Sequence, residues 1–204
     1  FAEQLNINLD KAGYIHCHGD IMARNPMFHK TLSQWRQQIS HMVRQPNNKS
    51  ARWGNIVFYF TTLYGDDFLT RKLREHLLKE LQGSINLLGY MVEYDAEGRP
   101  SLGFFNQLQT MEDEEHKGKI DIKRNGLRLI ADAARIYALH AGLTETNTRE
   151  RLKTLVHVGA LNRDLVESIL AAFDELLHLL IEHQIEHIFA TKTLSNFLIE
   201  HLAV

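Results

Sequence analysis

The chain has 204 residues, of which 44% are hydrophobic and 24% charged, a composition typical of one sizeable water-soluble globular domain. The net charge of −2 excludes a bulk electrostatic attraction to nucleic acid or to an anionic membrane. No apolar run reaches the roughly 18 residues that a membrane span needs. Cys17 is the only cysteine, which excludes an internal disulfide and predicts a reducing, cytoplasmic location.

The N-terminal segment combines a helix end with a short strand candidate. Residues 1–12 are typical of the last turns of a helix already under way, which indicates a chain cut from a longer protein. Residues 13–18, GYIHCH, follow directly and are the best strand candidate. Their rival, NIVFYF at 55–60, lies within a longer helical pattern, and we interpret it as helix.

Helical periodicity dominates the rest of the chain, apart from an irregular segment at 95–119 whose glycines, proline and acidic run are typical of a surface excursion. Apolar spacings, caps and breakers predict these helices: from about 28 to before Pro46; from Ser50 to about Tyr64; a long one from Asp66 and Asp67; 121–141, stopped by Gly142; one from Thr148; 165–189, capped by Asn162; and 193–203. The predicted fold class is mainly α, a helical bundle of six or seven helices with a short N-terminal strand.

Two short patterns are compatible with metal chemistry. Residues 183–187, HQIEH, match H-x-x-E-H, in which His183 and His187 would share a metal. We favour a chance pair, because the chain has 12 histidines and Glu200 is the sole carboxylate after His187. Gly83-Ser84 followed by Asp95 and Glu97 resembles a nucleotidyltransferase G-S…D-x-[DE] signature, but the intervening residues continue a helical pattern, which we favour.

The stretch CHGDIMARNP, residues 17–26, concentrates reactive side chains around Gly19. Its candidate metal ligands are too close together in the chain to surround a metal by themselves, and Cys17 has no base in fixed geometry. Two interpretations stay open. The segment ends a strand and aims Asp20 and Arg24 at an anionic ligand, or it is a turn in which Asp20 caps and Arg24 pairs with an acid.

This stretch, extended to GYIHCHGDIMARNPMF and followed by Trp35, resembles the segment G-Y-x-x-C-x-G-x-x-M-A-x-N-P plus an aromatic residue of a bacterial family of nucleotidyltransferases. Later segments resemble the same family in the same order: LYGDDFL (63–69), IDIKRNGLRLIADAARIYALHAGL (120–143), TRERLKTLVHVGAL (148–161) and the helix with Ala172-Phe173 and His183-Gln184. The resemblance covers nearly the whole chain.

The resemblance implies a domain organisation. Members of that family are cytoplasmic signalling proteins that often carry a cyclic-nucleotide-binding-like domain and paired CBS domains upstream of a nucleotidyltransferase domain. A helical substrate-binding domain follows. Residues 1–27 are then expected to be the C-terminal remnant of the α/β nucleotidyltransferase domain, including its last strand, and 28–204 the helical substrate-binding domain.

The resemblance also implies a mechanism for the intact protein, in which Mg²⁺ on paired carboxylates assists transfer of a nucleotidyl group from an NTP to an unidentified acceptor. The family's Gly-Ser and D-x-D elements precede the G-Y-x-x-C segment and are absent from this chain. We therefore expect the fragment itself to be inactive and to hold no cofactor. Where the family shows D-x-R, this chain has Tyr59 and Thr61, which implies a different acceptor or a lost contact.

Seven residues are candidates for substrate binding: Asp20, Arg24, Asn25, Asp121, Lys123, Arg135 and Arg151; of these, Asp121, Lys123 and Arg135 match the family pattern, whereas the family varies at Asp20. We expect Lys123 and Arg135 to face an anion, with Arg24 on the same groove. A structural alternative stays open, in which Asp121 caps its helix and Arg135 forms an ion pair. No catalytic residue and no metal ligand is expected in this chain.

The predicted function is the substrate-binding C-terminal part of a nucleotidyltransferase. Its expected partners are the upstream domains of the same protein and a small-molecule or protein acceptor, with no nucleic acid and no membrane, and a homodimer is left open. The alternative is a non-catalytic regulatory or protein-interaction module of a CBS-domain signalling protein. A third alternative is a metal hydrolase that uses His183 and His187.

Overall fold

The fold is dominated by α-helices. The computed structural model of the chain describes residues 1–14, 16–17, 19–82, 84–98, 100–102, 107–112, 114 and 116–191, and the backbone of 197–199. This part of the chain contains eight α-helices: Ala2–Lys11 (α1), Leu32–Arg44 (α2), Asn48–Val57 (α3), Phe68–Gln82 (α4), Asn86–Ala96 (α5), Arg128–His140 (α6), Thr148–His157 (α7) and Arg163–Thr191 (α8). A π-helical turn, Lys123–Leu127, leads directly into α6.

Polar side chains fix where several helices begin. Thr31 and Gln34 form a reciprocal capping box at the start of α2, in which each side chain accepts a hydrogen bond from the backbone N–H of the other residue. Asparagine side chains accept backbone hydrogen bonds at the starts of three further helices: Asn47 at α3, Asn147 at α7 and Asn162 at α8. These bonds satisfy N–H groups that a helix start otherwise leaves unpaired.

The main hydrophobic core lies among α2, α3, α4, α5 and α6. Its most deeply buried side chains are Ile39, Val43, Ala51, Phe58, Leu77, Leu87 and Met91. Gly54 lets α3 approach α5 closely, because a Cβ at this position would lie 3.1 Å from the ring of Phe58 and 3.3 Å from the sulfur of Met91. The core is therefore packed tightly enough that the residues at the end of α3 are held in place.

Two smaller cores hold the second half of the chain together. They are formed by Ile120, Ile122 and Leu180, and by Ala134, Leu152 and Val166. The π-helical turn lies directly against α8, since a Cβ at Gly126 would be 3.0 Å from Cδ1 of Leu176. Helix α6 contributes to the main core through Ile136 and Leu139 and to a smaller core through Ala134, so the polar side chains of α6 lie between the two.

A two-stranded antiparallel sheet joins β1 (Lys119–Asp121) to β2 (Phe197–Ile199), with Ile120 opposite Leu198. The prediction of a helix over 193–203 is therefore wrong at 197–199. The reason is tertiary, because the exposed edge of β1 offers backbone hydrogen bonds to an extended partner. The remainder of that predicted helix, 192–196 and 200–204, lies outside the described residues.

The prediction of a mainly α fold is confirmed, and α1, α2, α4, α7 and α8 lie where the periodicity predicted helices. The strand predicted at 13–18 is wrong for its described residues, which are irregular and have no neighbouring strand to supply a ladder of hydrogen bonds; 15 and 18 lie outside the description. Helix α3 ends at Val57 rather than Tyr64. Phe58 caps it, with its backbone N–H bonded to the carbonyl of Gly54, and beyond it Tyr59 contacts Arg135 and Arg151 of distant helices, which the local sequence pattern does not encode. The division at residue 27 stays a prediction. No helix in the described ranges combines the length and apolar character that crossing a membrane demands.

Candidate functional site

Tyr59 lies between two arginines just beyond the end of α3. Phe58, the residue before it, is completely buried in the main core, and this burial fixes the position of Tyr59 beside α6 and α7. The guanidinium carbon of Arg151, on α7, is 4.4 Å from the centre of the Tyr59 ring, and that of Arg135, on α6, is 5.1 Å away. Both distances are those of cation–π contacts.

Arg151 is the most deeply buried charged side chain among the described residues, with 1% of its surface exposed. Its Nε donates a hydrogen bond of 2.8 Å to the backbone carbonyl of Glu145. Burial lowers the pKa of Arg151 to about 10, and the positive charges of Arg135 and Arg74 add to this effect. The guanidinium therefore stays protonated at neutral pH and carries its charge inside the protein.

Asp132, on α6, is the carboxylate at the centre of this region and is 3% exposed. It accepts hydrogen bonds from Nη1 of Arg135 at 2.6 Å and from Nη1 of Arg128 at 3.4 Å. Nη1 of Arg128 also lies 4.0 Å from Oδ1 of Asp95, on α5. One helical face thus carries two arginines that share a single buried aspartate, with a second aspartate nearby.

Four polar atoms in this region are buried without a hydrogen-bond partner in the described part of the chain: the Tyr59 hydroxyl, Nε of Arg135, Nη2 of Arg151 and Oδ1 of Asp95. Burial raises the pKa of Tyr59 well above its usual value, so its hydroxyl stays neutral. We name Tyr59, Asp95, Arg128, Asp132, Arg135 and Arg151 the arginine–tyrosine cluster.

Arg135 and Arg128 also line an open groove of about 350 Å³ between the α6 segment and α8. Lys123 contributes a third cation from the π-helical turn, and Phe173 and Gln184 face it from α8. Leu127, Ala131 and Leu180 form its apolar part. This α6–α8 groove therefore combines positive charge, one amide and an aromatic ring on a solvent-accessible surface.

Comparison with models of known protein families shows to which family the chain belongs. A family model described as "Putative nucleotidyltransferase substrate binding domain" matches residues 85–201, more than half of the chain, including the π-helical turn, α6, α7 and α8. The chain belongs to this family. A second model, described as "Putative nucleotidyltransferase DUF294", matches residues 1–49. Neither the curated proteins nor the solved structures contain a match to the chain.

Within this family assignment, Lys123 and Arg135 line one groove, as their predicted shared role requires. Asp121 accepts a hydrogen bond of 2.8 Å from the backbone N–H of Arg124, as the structural alternative for this residue expects. Arg135 forms an ion pair with Asp132, as the structural alternative also expects, and it lines the groove at the same time. Arg151 does not line the groove and lies inside the cluster instead.

Three predicted residues, Asp20, Arg24 and Asn25, form a separate group near the N-terminus. Asp20 adopts a left-handed backbone conformation, with φ 49°, and its carboxylate accepts hydrogen bonds from Nε of Arg24 at 3.2 Å and from Nδ2 of Asn25 at 3.1 Å. The backbone N–H of Arg24 donates to the side chain of buried Asn6. These hydrogen bonds pair Asp20 and Arg24 with each other, as the turn interpretation expects, and none of them involves Lys123 or Arg135. A groove shared by Arg24, Lys123 and Arg135 stays a prediction.

The two metal-binding alternatives gain no support from the geometry. His183 and His187 lie on α8 with ring centres 5.9 Å apart, but the described ranges contain no group of three or more His, Cys, Asp or Glu side chains that could hold a metal. Asp95 lies in helix α5 and Glu97 follows directly after it, so these acids are not on the strand that the signature requires. Gly83 of that signature and Glu200 lie outside the described residues.

Sequence reasoning missed Asp132, Arg128 and Asp95 as members of one cluster. Asp132 lies four residues after Arg128 and three before Arg135, a helical spacing that predicts contact on one face. That signal was available in the sequence. The contribution of Asp95 could not be read from the sequence, because its proximity to α6 depends on how α5 packs.

We expect the variant Asp95→Asn to be more stable than the wild type near pH 7.5 by about 1–3 kcal/mol. Burial, reinforced by the negative charge of Asp132, raises the pKa of Asp95 from 3.8 to about 6, against the opposing effect of Arg128. The folded chain holds this proton more tightly than the unfolded chain. The resulting stability is fully present below about pH 4 and is lost as the pH rises through about 6.

Urea unfolding of Asp95→Asn and wild type between about pH 4 and 7.5 measures this difference. The two chains should have similar stability at the acidic end and diverge through the titration. Glu93→Gln, an exposed change on the same helix, is the control and should track the wild type. A constant difference between Asp95→Asn and wild type across the range would contradict the prediction.

Proposed function

We propose that the chain is the substrate-binding part of a nucleotidyltransferase, and that the α6–α8 groove receives the acceptor. The observation that supports this proposal is the convergence of Lys123, Arg128 and Arg135 on one groove that Phe173 also lines, in a chain of this family. The three cations suit a phosphate or carboxylate group. The ring of Phe173 and the leucines beside it suit the apolar part of a small molecule.

In the intact protein we propose Mg²⁺-dependent transfer of a nucleotidyl group from an NTP to this acceptor. The described residues do not fit the metal: Asp132 is hydrogen-bonded by Arg128 and Arg135, Asp95 lies 4.0 Å from Arg128, and no cluster of three ligands is found among them. We place the Mg²⁺ and the NTP of this proposal on the catalytic part of the intact protein. The contribution of this chain is to bind and orient the acceptor, and alone it should transfer no nucleotide.

The transfer reaction tests the proposal. The intact protein is incubated with α-labelled NTPs, Mg²⁺ and dilutions of a small-molecule extract, and the labelled product is measured. We expect Lys123→Gln to raise the extract concentration needed for half-maximal transfer by about threefold to tenfold, with little change in the maximal rate, because a charge-assisted contact to the acceptor is lost.

Arg124→Gln is the matched control, because Arg124 is the neighbouring exposed cation and does not line the groove. It should behave as the wild type does. Transfer of label by this chain alone would contradict the proposal that catalysis belongs to another part of the intact protein. If Lys123→Gln and Arg124→Gln required the same extract concentration for half-maximal transfer, the groove would not be the acceptor site.

A second candidate is a regulatory or protein-interaction module of a bacterial, cytoplasmic signalling protein, docked against upstream nucleotidyltransferase, CBS or cyclic-nucleotide-binding-like domains or against a second copy. The supporting observation is an exposed apolar group around the α3–α4 connection: Leu63 and Tyr64, which are 95% and 99% exposed, with Phe68 and Leu69. Under this candidate, Leu63→Asp in this chain should weaken its association with the separately prepared upstream domains or with a second copy, measured by analytical ultracentrifugation, while Lys123→Gln should have no effect.

A further inference from the structure

We propose that the arginine–tyrosine cluster binds one small oxyanion, a phosphate or a carboxylate group, between Tyr59, Arg135 and Arg151. Nothing in the family assignment identifies such a site. The inference concerns binding only and does not require that the intact protein transfers nucleotides. A binding measurement on this chain therefore tests it separately from the transfer reaction.

The first argument is an excess of buried donors. The Tyr59 hydroxyl, Nε of Arg135 and Nη2 of Arg151 are buried and have no hydrogen-bond partner within the described residues. A guanidinium nitrogen can only donate, so the two arginines cannot satisfy each other. Buried donors in proteins are nearly always paired. Oδ1 of Asp95 is the one unpaired acceptor of the cluster and cannot satisfy all three donors, so a further acceptor beyond the described residues is needed.

The second argument is charge. Within the described residues, four arginines act on this region, Arg74, Arg128, Arg135 and Arg151, against three carboxylates, Asp95, Asp132 and Glu145. Tyr59 stays neutral, and the carboxylate of Glu145 is already bonded by Thr144 and Thr154. A water molecule would satisfy donors but would leave the excess positive charge around buried Arg151 uncompensated, whereas an anion compensates both.

The third argument is geometry and access. The guanidinium carbons of Arg135 and Arg151 lie 5.1 and 4.4 Å from the same ring centre, so both cations and the phenolic hydroxyl belong to one region around Tyr59. Oxyanions present several lone pairs and match the planar fork of arginine. Arg135 also lines the open α6–α8 groove, so one member of the cluster reaches a solvent-accessible surface.

The test uses inorganic phosphate as the probe. Phosphate is titrated into the chain at constant ionic strength, followed by thermal unfolding and by ³¹P NMR line width. We expect phosphate in the millimolar range to raise the Tm of the wild type, by mass action. Tyr59→Phe should weaken binding by about tenfold, since it removes one donor and keeps the ring. Arg135→Gln should abolish it.

Arg149→Gln is the matched control. It removes the same charge from α7, two residues before Arg151, but Arg149 is exposed and pairs with Asp174. This variant should bind phosphate as the wild type does. Tyr59→Phe keeps the test decisive if Arg135→Gln fails to fold. Acetate at the same ionic strength shows whether the site prefers a carboxylate or a phosphate group. Binding of either anion that depends on Tyr59 supports the proposal.

Two outcomes would overturn the inference. One is the absence of any Tm rise or line broadening for the wild type with either anion. The other is an equal response of Tyr59→Phe, Arg135→Gln and Arg149→Gln, which would indicate nonspecific screening of the surface charge. The two proposals can fail separately, because the transfer assay compares Lys123→Gln with Arg124→Gln in the intact protein, whereas the binding test compares Tyr59→Phe with Arg149→Gln in this chain.

Discussion

Replacing Phe58 with alanine is expected to lower the free energy of unfolding by about 3–5 kcal/mol. The Phe58 side chain is fully buried at the point where α3 ends, and it packs against the main core of α2, α4 and α5. Removal of the ring leaves a cavity next to Gly54, which has no side chain to fill it, in an otherwise closely packed core. Urea unfolding followed by circular dichroism measures the effect.

The matched control is Tyr64→Ala, an aromatic residue in the same connection with 99% of its surface exposed. Its removal should change the free energy of unfolding by no more than about 0.5 kcal/mol. Phe58→Ala should also release Tyr59, so phosphate binding should weaken in whatever fraction of the variant folds. If the two alanine variants were equally stable, the placement of Phe58 in the core would be refuted.

Replacing Asp132 with alanine is expected to cost about 2–4 kcal/mol of stability. The loss arises because Arg128 and Arg135 keep their charges after their shared buried partner is gone, in a region that already contains Arg151. The partial exposure of the two arginines and the relief of repulsion on Asp95 keep the cost below that of a fully buried pair. Urea unfolding at about pH 7.5 measures it.

A double variant separates charge from packing. Asp132→Ala combined with Arg135→Met should be more stable than the sum of the two single changes predicts, because the second change removes a charge that the first leaves uncompensated. Asp174→Ala, which breaks an exposed pair with Arg149, should cost about 0–1 kcal/mol. Additive effects of the Asp132 and Arg135 changes would show that the two side chains are not coupled.

The sequence predicted much of the helical framework for a physical reason. The apolar spacing in α2 and α4, and the asparagine ahead of α8, act locally and need no tertiary partner. Predictions failed where a distant segment decided the outcome. Residues 197–199 are extended because β1 pairs with them, and beyond the helical cap Phe58 the side chain of Tyr59 contacts arginines of α6 and α7.

The candidate site shows the same division. Lys123 and Arg135 were recognisable from the resemblance, and the three-to-four spacing of Arg128, Asp132 and Arg135 indicates contact on one helical face. The resemblance also identified Tyr59 as a departure from the family's D-x-R pattern, but it did not indicate where Tyr59 lies in the fold. The convergence of Tyr59 with Arg151 was beyond sequence reasoning, because the two residues lie far apart in the chain and contact each other only in the folded protein.

By itself, the sequence determined a mainly helical chain, the family to which it belongs, and the basic residues of the segment after 120, because periodicity, caps and motifs are encoded over a few consecutive residues. Only the tertiary structure decided which charges are buried together, which are open to solvent, and which donors lack an acceptor. Burial and pairing depend on residues far apart in the chain. The low-dielectric interior between α3, α6 and α7 lowers the pKa of Arg151 and strengthens the electrostatic interactions of its charge.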